Sequence, residues 1–217
     1  MKKYFVVLLF LWISVYNVKA QFLDSIQTAL ERKGRFTFSL DSYSSFIDNN
    51  DADISGFLVG VCFDRRFTIG GGYNFLDSYL TRNEVIEGNV ISRQLNFGFL
   101  CYYMQYQFKI TKHWEIDIPL TIGLGSSSYS YTLQGKEITQ DKQFVMPIEP
   151  SVEVDYDFNK YWGLYVQVGF RWMLINNTAI SADFNSPTYD FGVFICPFEI
   201  YAGLFPKTKL AHMIEDN

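Results

Sequence analysis

Residues 144–158 read FVMPIEPSVEVDYDF and residues 162–174 read WGLYVQVGFRWML, with only Asn159-Lys160-Tyr161 between them. In the first run Phe144, Met146, Ile148, Pro150, Val152, Val154, Tyr156 and Phe158 alternate with Val145, Pro147, Glu149, Ser151, Glu153, Asp155 and Asp157. In the second, Trp162, Leu164, Val166, Val168, Phe170, Trp172 and Leu174 alternate with Gly163, Tyr165, Gln167, Gly169, Arg171 and Met173. Side chains on a strand point alternately to its two faces, so each run has one apolar face and one polar or small face. A three-residue link keeps the two faces aligned and makes the pair an antiparallel hairpin.

The same period recurs upstream. Trp114, Ile116, Ile118, Leu120, Ile122 and Leu124 alternate with Glu115, Asp117, Pro119, Thr121 and Gly123. Shorter versions begin at Phe36, Phe57 and Phe67. Another places Leu95, Phe97, Phe99 and Cys101 on the apolar side, then slips to Met104, Tyr106 and Phe108, which predicts a bulge. A last run, Tyr189 to Ile195, is interrupted by Pro197 and is expected to resume toward Phe205. These are eight strands. Short links at Asp64-Arg65-Arg66, Ile110-Thr111-Lys112 and Asn159-Lys160-Tyr161 alternate with long ones at about residues 44–53, 77–90, 125–142 and 175–187. Short turns at one end and long loops at the other are the pattern of membrane-spanning antiparallel barrels.

A soluble lipid-binding barrel would use the same alternation with the apolar face inward. Two features favour the inverted arrangement. Gly60, Gly70, Gly72, Gly98, Gly123, Gly169 and Gly192 fall on the non-apolar face, where the narrow interior of an eight-stranded barrel needs small residues. Large rings stand near the ends of the apolar face: Trp114, Tyr156, Phe158 and Trp162 near short turns, Phe144 and Trp172 near long loops. Rings at both ends of an apolar band match the two interfacial girdles of a membrane barrel.

On these grounds residues 34–205 resemble the small eight-stranded OmpA/OmpX-type outer-membrane β-barrels of Gram-negative bacteria. The resemblance implies an all-β, eight-stranded antiparallel transmembrane barrel with short periplasmic turns and long extracellular loops. It implies outer-membrane lipid and the outer-membrane assembly machinery as partners, the latter reading a terminal aromatic residue. Phe205 matches that position, with Pro206 and a tail to residue 217 beyond it.

Composition agrees. Aromatic residues make up 18% of the chain and charged residues 19%, against about a quarter charged in a soluble domain. The formal charge of -5, without a Lys/Arg cluster, argues against nucleic acid. Residues 1–20 read as a cleaved signal peptide: Lys2 and Lys3, an apolar run from Tyr4 to Tyr16, then Val18-Lys19-Ala20. Residues 21–33 are expected to form a short periplasmic helix, a plug or a lid over the barrel bottom, and 206–217 a periplasmic tail. Cys62, Cys101 and Cys196 are odd in number and widely spaced, so we expect buried or lipid-facing thiols.

The interior holds Glu115, Asp117, Glu149, Glu153, Asp155 and Arg171. Counting across the Asn159–Tyr161 turn places Glu149 opposite Arg171, an expected cross-strand ion pair. The remaining carboxylates exceed the inner cations and lean on Arg35, Lys109, water or retained protons. This acidic group reads either as a cation pathway or as a polar plug, and eight strands leave no open pore. Pro119, Pro147, Pro150 and Pro197 each remove a ladder hydrogen bond and are expected at bulges or strand ends.

Chemistry for catalysis is sparse. His113 lies beside a short turn and His212 in the tail, so neither serves the long-loop side as a base. Asp48-Asn49-Asn50-Asp51-Ala52-Asp53 is rich in oxygen but fails the EF-hand pattern at Ala52. We expect no cofactor, no resident metal and no enzymatic activity. The leading expectation is a monomeric surface structural or interaction protein meeting an extracellular partner through its loops, Ser126–Tyr131 forming a projecting ribbon. A narrow channel for small cations or solutes is the alternative.

Overall fold

The computed structural model describes residues 22–86, 89–133, 135–180 and 182–205. The expected signal peptide, Gln21, Pro206 and the tail with His212 lie outside the described residues. Helix α1 covers residues 22–30, and then the strands follow: β1 (Gly34–Ile47), β2 (Asn50–Phe63), β3 (Phe67–Leu76), β4 (Thr81–Ile86), β5 (Asn89–Lys109), β6 (Trp114–Leu133), β7 (Lys136–Asn159), β8 (Trp162–Ile175) and β9 (Ser186–Ile195). Helix α2 (Pro197–Leu204) ends the described chain.

All strand pairings among the described residues are antiparallel. Consecutive strands pair except that β3 reaches past β4 to β5, and β1 meets β9, which closes a ring of eight. β4 stands outside the ring, paired with the far end of β5. The strands β5, β6 and β7 have 21, 20 and 24 residues, whereas a tilted strand needs about 9–11 to cross a bilayer. Their surplus projects as a ribbon beyond one rim. The ring is uneven at its seam: β1 and β9 share one register pair, Ser44 with Tyr189, while β2–β3 and β8–β9 run through ten each.

The orientation is that of a membrane barrel. Leu40 is 79% exposed and Phe191 74%, and Phe36, Val166, Val168, Trp172 and Leu174 also face outward. Asp117, Glu149, Asp155 and Arg171 are buried. A greasy exterior around a polar interior excludes the soluble lipid-binding barrel, which needs the reverse. The expected girdle rings stand on this outer face: Trp114, Phe144, Phe158, Trp162 and Trp172 are exposed. At the short-turn end Trp114, Tyr156, Phe158 and Trp162 form a continuous chain of ring contacts, at centroid distances of 4.8, 5.2 and 4.4 Å.

Several expectations need correction. In β5 the face with Leu95, Phe97, Phe99 and Cys101 points inward, continuing through Tyr103, and Leu100 and Tyr102 are exposed. The β5 register runs without a shift, so there is no bulge, and Gly98, opposite exposed Phe75, joins the outer face. The physical reason is that the long-loop half of the interior is filled by aromatic and aliphatic side chains, so apolar residues occupy both faces of β5 there. The first long link is a tight hairpin: β1 and β2 stay paired to Ile47 and Asn50, and Asp48 and Asn49 make the turn with φ of 53° and 61°. After Ile195 the chain does not resume as a strand. Pro197 sits at the first turn of α2, where its missing N–H costs nothing. Pro147 does fall at a register shift.

α1 packs Ala29 and Ile26 against Phe67, Ile69, Met104, Tyr106 and Phe108, and the Phe22 ring lies 4.9 Å from that of Tyr106. Those residues belong to the outer face, so α1 lies against the wall outside the barrel and not across its opening. α2 is tied beneath the short-turn end by Glu199, 3.6 Å from Arg65 and 3.9 Å from Arg35.

Candidate functional site

Period two in β6, β7 and β8 sends Glu115, Asp117, Glu149, Glu153, Asp155 and Arg171 into one lumen, where they form layers. In the middle, Arg171 Nε donates to Glu149 Oε1 at 2.6 Å, and Tyr43 Oη donates to Glu149 Oε2 at 2.8 Å. Arg171 has no solvent exposure, and its Nη1 and Nη2 find no hydrogen-bond acceptor among the described residues. Its guanidinium carbon lies 5.8 Å from the Tyr43 ring centre and 5.4 Å from that of Phe97, so ring faces take up part of the charge.

Toward the short turns the lumen is acidic. Asp117 faces Glu153 across β6 and β7, with Asp155 one step further. Gln105 donates to Asp117 Oδ2, and Gln107 to Glu115 Oε2. Tyr165 Oη donates to Asp190 Oδ2 at 2.6 Å, and Asn74 Nδ2 to Asp41 Oδ2 at 2.9 Å. Lys109 Nζ lies 3.1 Å from Glu115 Oε1 at the lower edge. A cavity of about 670 Å³ is lined by Asp41, Glu149, Glu153, Asp155 and Tyr165 and extends to Phe38 and Val193 where β1 and β9 part. His113 sits at the short-turn rim with Nδ1 2.8 Å from the Asp157 carbonyl oxygen, away from this cavity's lining. At the same rim burial pushes the Cys196 thiol pKa up, with Asp157 and Glu199 adding to it, so it is a poor nucleophile.

Toward the long loops the lumen is closed by a dry cluster. Ile47, Ile54, Leu95, Phe97, Phe99 and Val145 come from the strands, and Ile180, Ala182 and Phe184 come from the segment after β8. The Phe184 ring lies 5.1 Å from that of Phe97. Polar contacts hold this segment down. Asn177 Nδ2 donates to the Asp141 carbonyl at 2.7 Å and to the Ser127 carbonyl and hydroxyl at 3.1 Å. Asp183 N donates to Asp48 Oδ1 at 2.9 Å. On the projecting ribbon, Arg93 reaches Asp141 at 3.2 Å, contacts Glu84, and lies 4.6 Å above the Tyr129 ring. These contacts among the described residues join the four links into one lobe. Its rim is the edge strand β4, with Val85 exposed, and Tyr79 is exposed just before it.

Four lumen residues escaped the sequence reading although the alternation carries them: Asp41, Tyr43, Gln105 and Asp190. Asp190 stands between outward Tyr189 and Phe191, a signal as clear as that for Glu153. Arg93 and Asn177 have no such signal, because Asp141, which both meet, lies 48 and 36 residues away from them in sequence.

No protein-family model and no curated protein matches the chain. Among solved structures it is similar to Neisserial surface protein A (NspA), at 12% identity and a TM-score of 0.52 over 76% of this chain and 99% of that one. It is similar at a TM-score of 0.43 to the N-terminal β-barrel domain of Pseudomonas aeruginosa OprF, with 10% identity over 74% of this chain and 97% of that one. It is similar at a TM-score of 0.44 to Ail, the attachment invasion locus protein of Yersinia pestis, with 11% identity over 74% and 97%. The eight-stranded ring, its polar interior and its apolar exterior, together with the likeness to NspA, make this fold that of a small outer-membrane β-barrel.

Proposed function

We propose that the chain is an integral outer-membrane protein that works non-enzymatically at the cell surface, through the lobe built by its long links. One observation carries this reading: the long-loop end is sealed by Phe97, Phe99, Ile180 and Phe184, while the lobe above is held by side-chain hydrogen bonds and ion pairs. A sealed scaffold that fixes a protruding surface suits recognition better than conduction. Among the described residues the strand β4 is paired on one side only, and such an edge accepts an extended segment of a partner by backbone hydrogen bonds. The test replaces residues 128–142 by an Asn-Gly turn, which keeps Ser127 opposite Gln143, and compares whole cells bearing either barrel for attachment to host cells and matrix. Attachment falling with the lobe supports the reading, and unchanged attachment refutes it.

A narrow channel for small cations is the second reading, favoured by the acidic cavity beneath Arg171. Steady openings in planar bilayers, abolished by Glu149→Gln or Glu153→Gln, would support it.

A further inference from the structure

We propose that Asp117, Glu153 and Asp155 form a binding site for a hard divalent cation, of the calcium type, inside the barrel. One carboxylate oxygen from each of the three lies within 4.8 Å of the others. Two oxygens bound to the same calcium ion lie at most about 5 Å apart at the usual metal–oxygen distances of about 2.3–2.6 Å. The three come from facing positions on two neighbouring strands with a continuous local register, so the wall holds them together.

The second observation is the state of the oxygens themselves. Asp155 is 8% exposed and Asp117 3%, yet Oδ1 of each has no hydrogen-bond partner among the described residues. Among the described residues Asp155 makes no side-chain hydrogen bond at all, while Gln105 satisfies only Oδ2 of Asp117. A buried, unsatisfied carboxylate is costly unless a charge or donor meets it. The neighbouring cations are committed elsewhere, Arg171 to Glu149 above and Lys109 to Glu115 below. The ligand atoms are all oxygens, which selects a hard ion over zinc or copper. Magnesium demands a near-ideal octahedron and keeps its water, whereas calcium tolerates the irregular set that one wall of a barrel offers. The approach exists as well, since the cavity of about 670 Å³ is lined by Glu153 and Asp155.

The experiment uses the full mature chain folded in detergent micelles and stripped with EDTA, with calcium chloride as the probe. Calorimetric titration and the thermal midpoint are read on the unaltered chain, on Asp155→Asn, on Glu153→Gln, and on an Asp51→Asn/Asp53→Asn chain altered in the exposed hairpin. The expected result is one calcium per chain, a raised midpoint not reproduced by sodium at equal ionic strength, and an affinity at least tenfold weaker in either lumen variant. The hairpin variant keeps the unaltered affinity. Asp155→Asn also raises the midpoint in EDTA, because it removes like-charge repulsion without breaking a hydrogen bond. No calcium binding by the unaltered chain overturns the proposal. So does binding that survives Asp155→Asn and is lost in the hairpin variant. Should Glu153→Gln fail to fold, Asp155→Asn and the sodium control decide.

Discussion

Arg171 and Glu149 face each other across β7 and β8, 2.6 Å apart at Nε and Oε1, with the guanidinium wholly shielded from solvent. Removing one member leaves a buried charge alone. Arg171→Met or Glu149→Gln is expected to destabilise the barrel by about 3–5 kcal/mol, and the double variant by clearly less than the sum. Urea unfolding in micelles, followed by heat-modifiable gel mobility, measures both.

Tyr103 fills the lumen beside two glycines. A Cβ at Gly70 would lie 2.6 Å from Tyr103 Cε1 and 2.2 Å from the Val59 carbonyl oxygen, and one at Gly60 would lie 2.6 Å from the Tyr103 hydroxyl. Gly60→Ala and Gly70→Ala are each expected to cost about 1–3 kcal/mol through overpacking. Tyr103→Phe, which deletes only the hydroxyl, should recover part of the Gly60→Ala loss and none of the Gly70→Ala loss. The same unfolding assay checks this.

Asn177 holds the segment after β8 onto Ser127 and Asp141 and caps its own chain through Ala179 N at 3.0 Å. Asn177→Ala strands several buried groups, each worth about 1–3 kcal/mol. The barrel below does not depend on them. Limited proteolysis should therefore cut the altered chain within residues 176–185 much faster, with gel mobility of the folded barrel unchanged.

The seam between β1 and β9 is the weakest ladder. Backbone groups without partners are costly in hydrocarbon, so this is where the barrel opens first. Hydrogen exchange in micelles should show the seam-facing amides within Phe38–Ser42 and Gly192–Ile195 exchanging well before those of Ile116, Asp117, Ile118, Leu120 and Thr121. Equal protection at the two places would contradict the seam.

Phe158 and Trp162 stack at 4.4 Å in the ring belt at the short-turn end. Phe158→Ala is expected to cost about 0.5–1.5 kcal/mol beyond its lost area, and to weaken the anchoring of Trp162 at the interface. A red shift of tryptophan emission in the altered barrel reports it.

What a reader could take from the sequence follows from locality. Alternation in β6, β7 and β8 is a property of neighbouring residues, and the link at Asn159–Tyr161 is short enough to count across. The strands, their antiparallel order and the meeting of Glu149 with Arg171 were therefore legible before any coordinates. β5 was misread because alternation fixes a period and not a direction. Leu95, Phe97 and Phe99 look outward-facing by composition, and only the presence of Ile180 and Phe184 across the lumen makes their face the inner one.

The hairpin at Asp48-Asn49 and the helix begun by Pro197 were hidden for a related reason: polar residues mark a break but not how long the strands run to reach it. Sequence by itself settled the greasy and polar stripes, the strand number of the ring and the rim on which the long links lie. Tertiary structure alone decided which stripe of β5 faces the lumen, where the ring is thinly closed, and that Asp117, Glu153 and Asp155 converge, with Oδ1 of Asp117 and of Asp155 unsatisfied. Those outcomes depend on residues far apart in the chain filling one narrow space, and no local period encodes that.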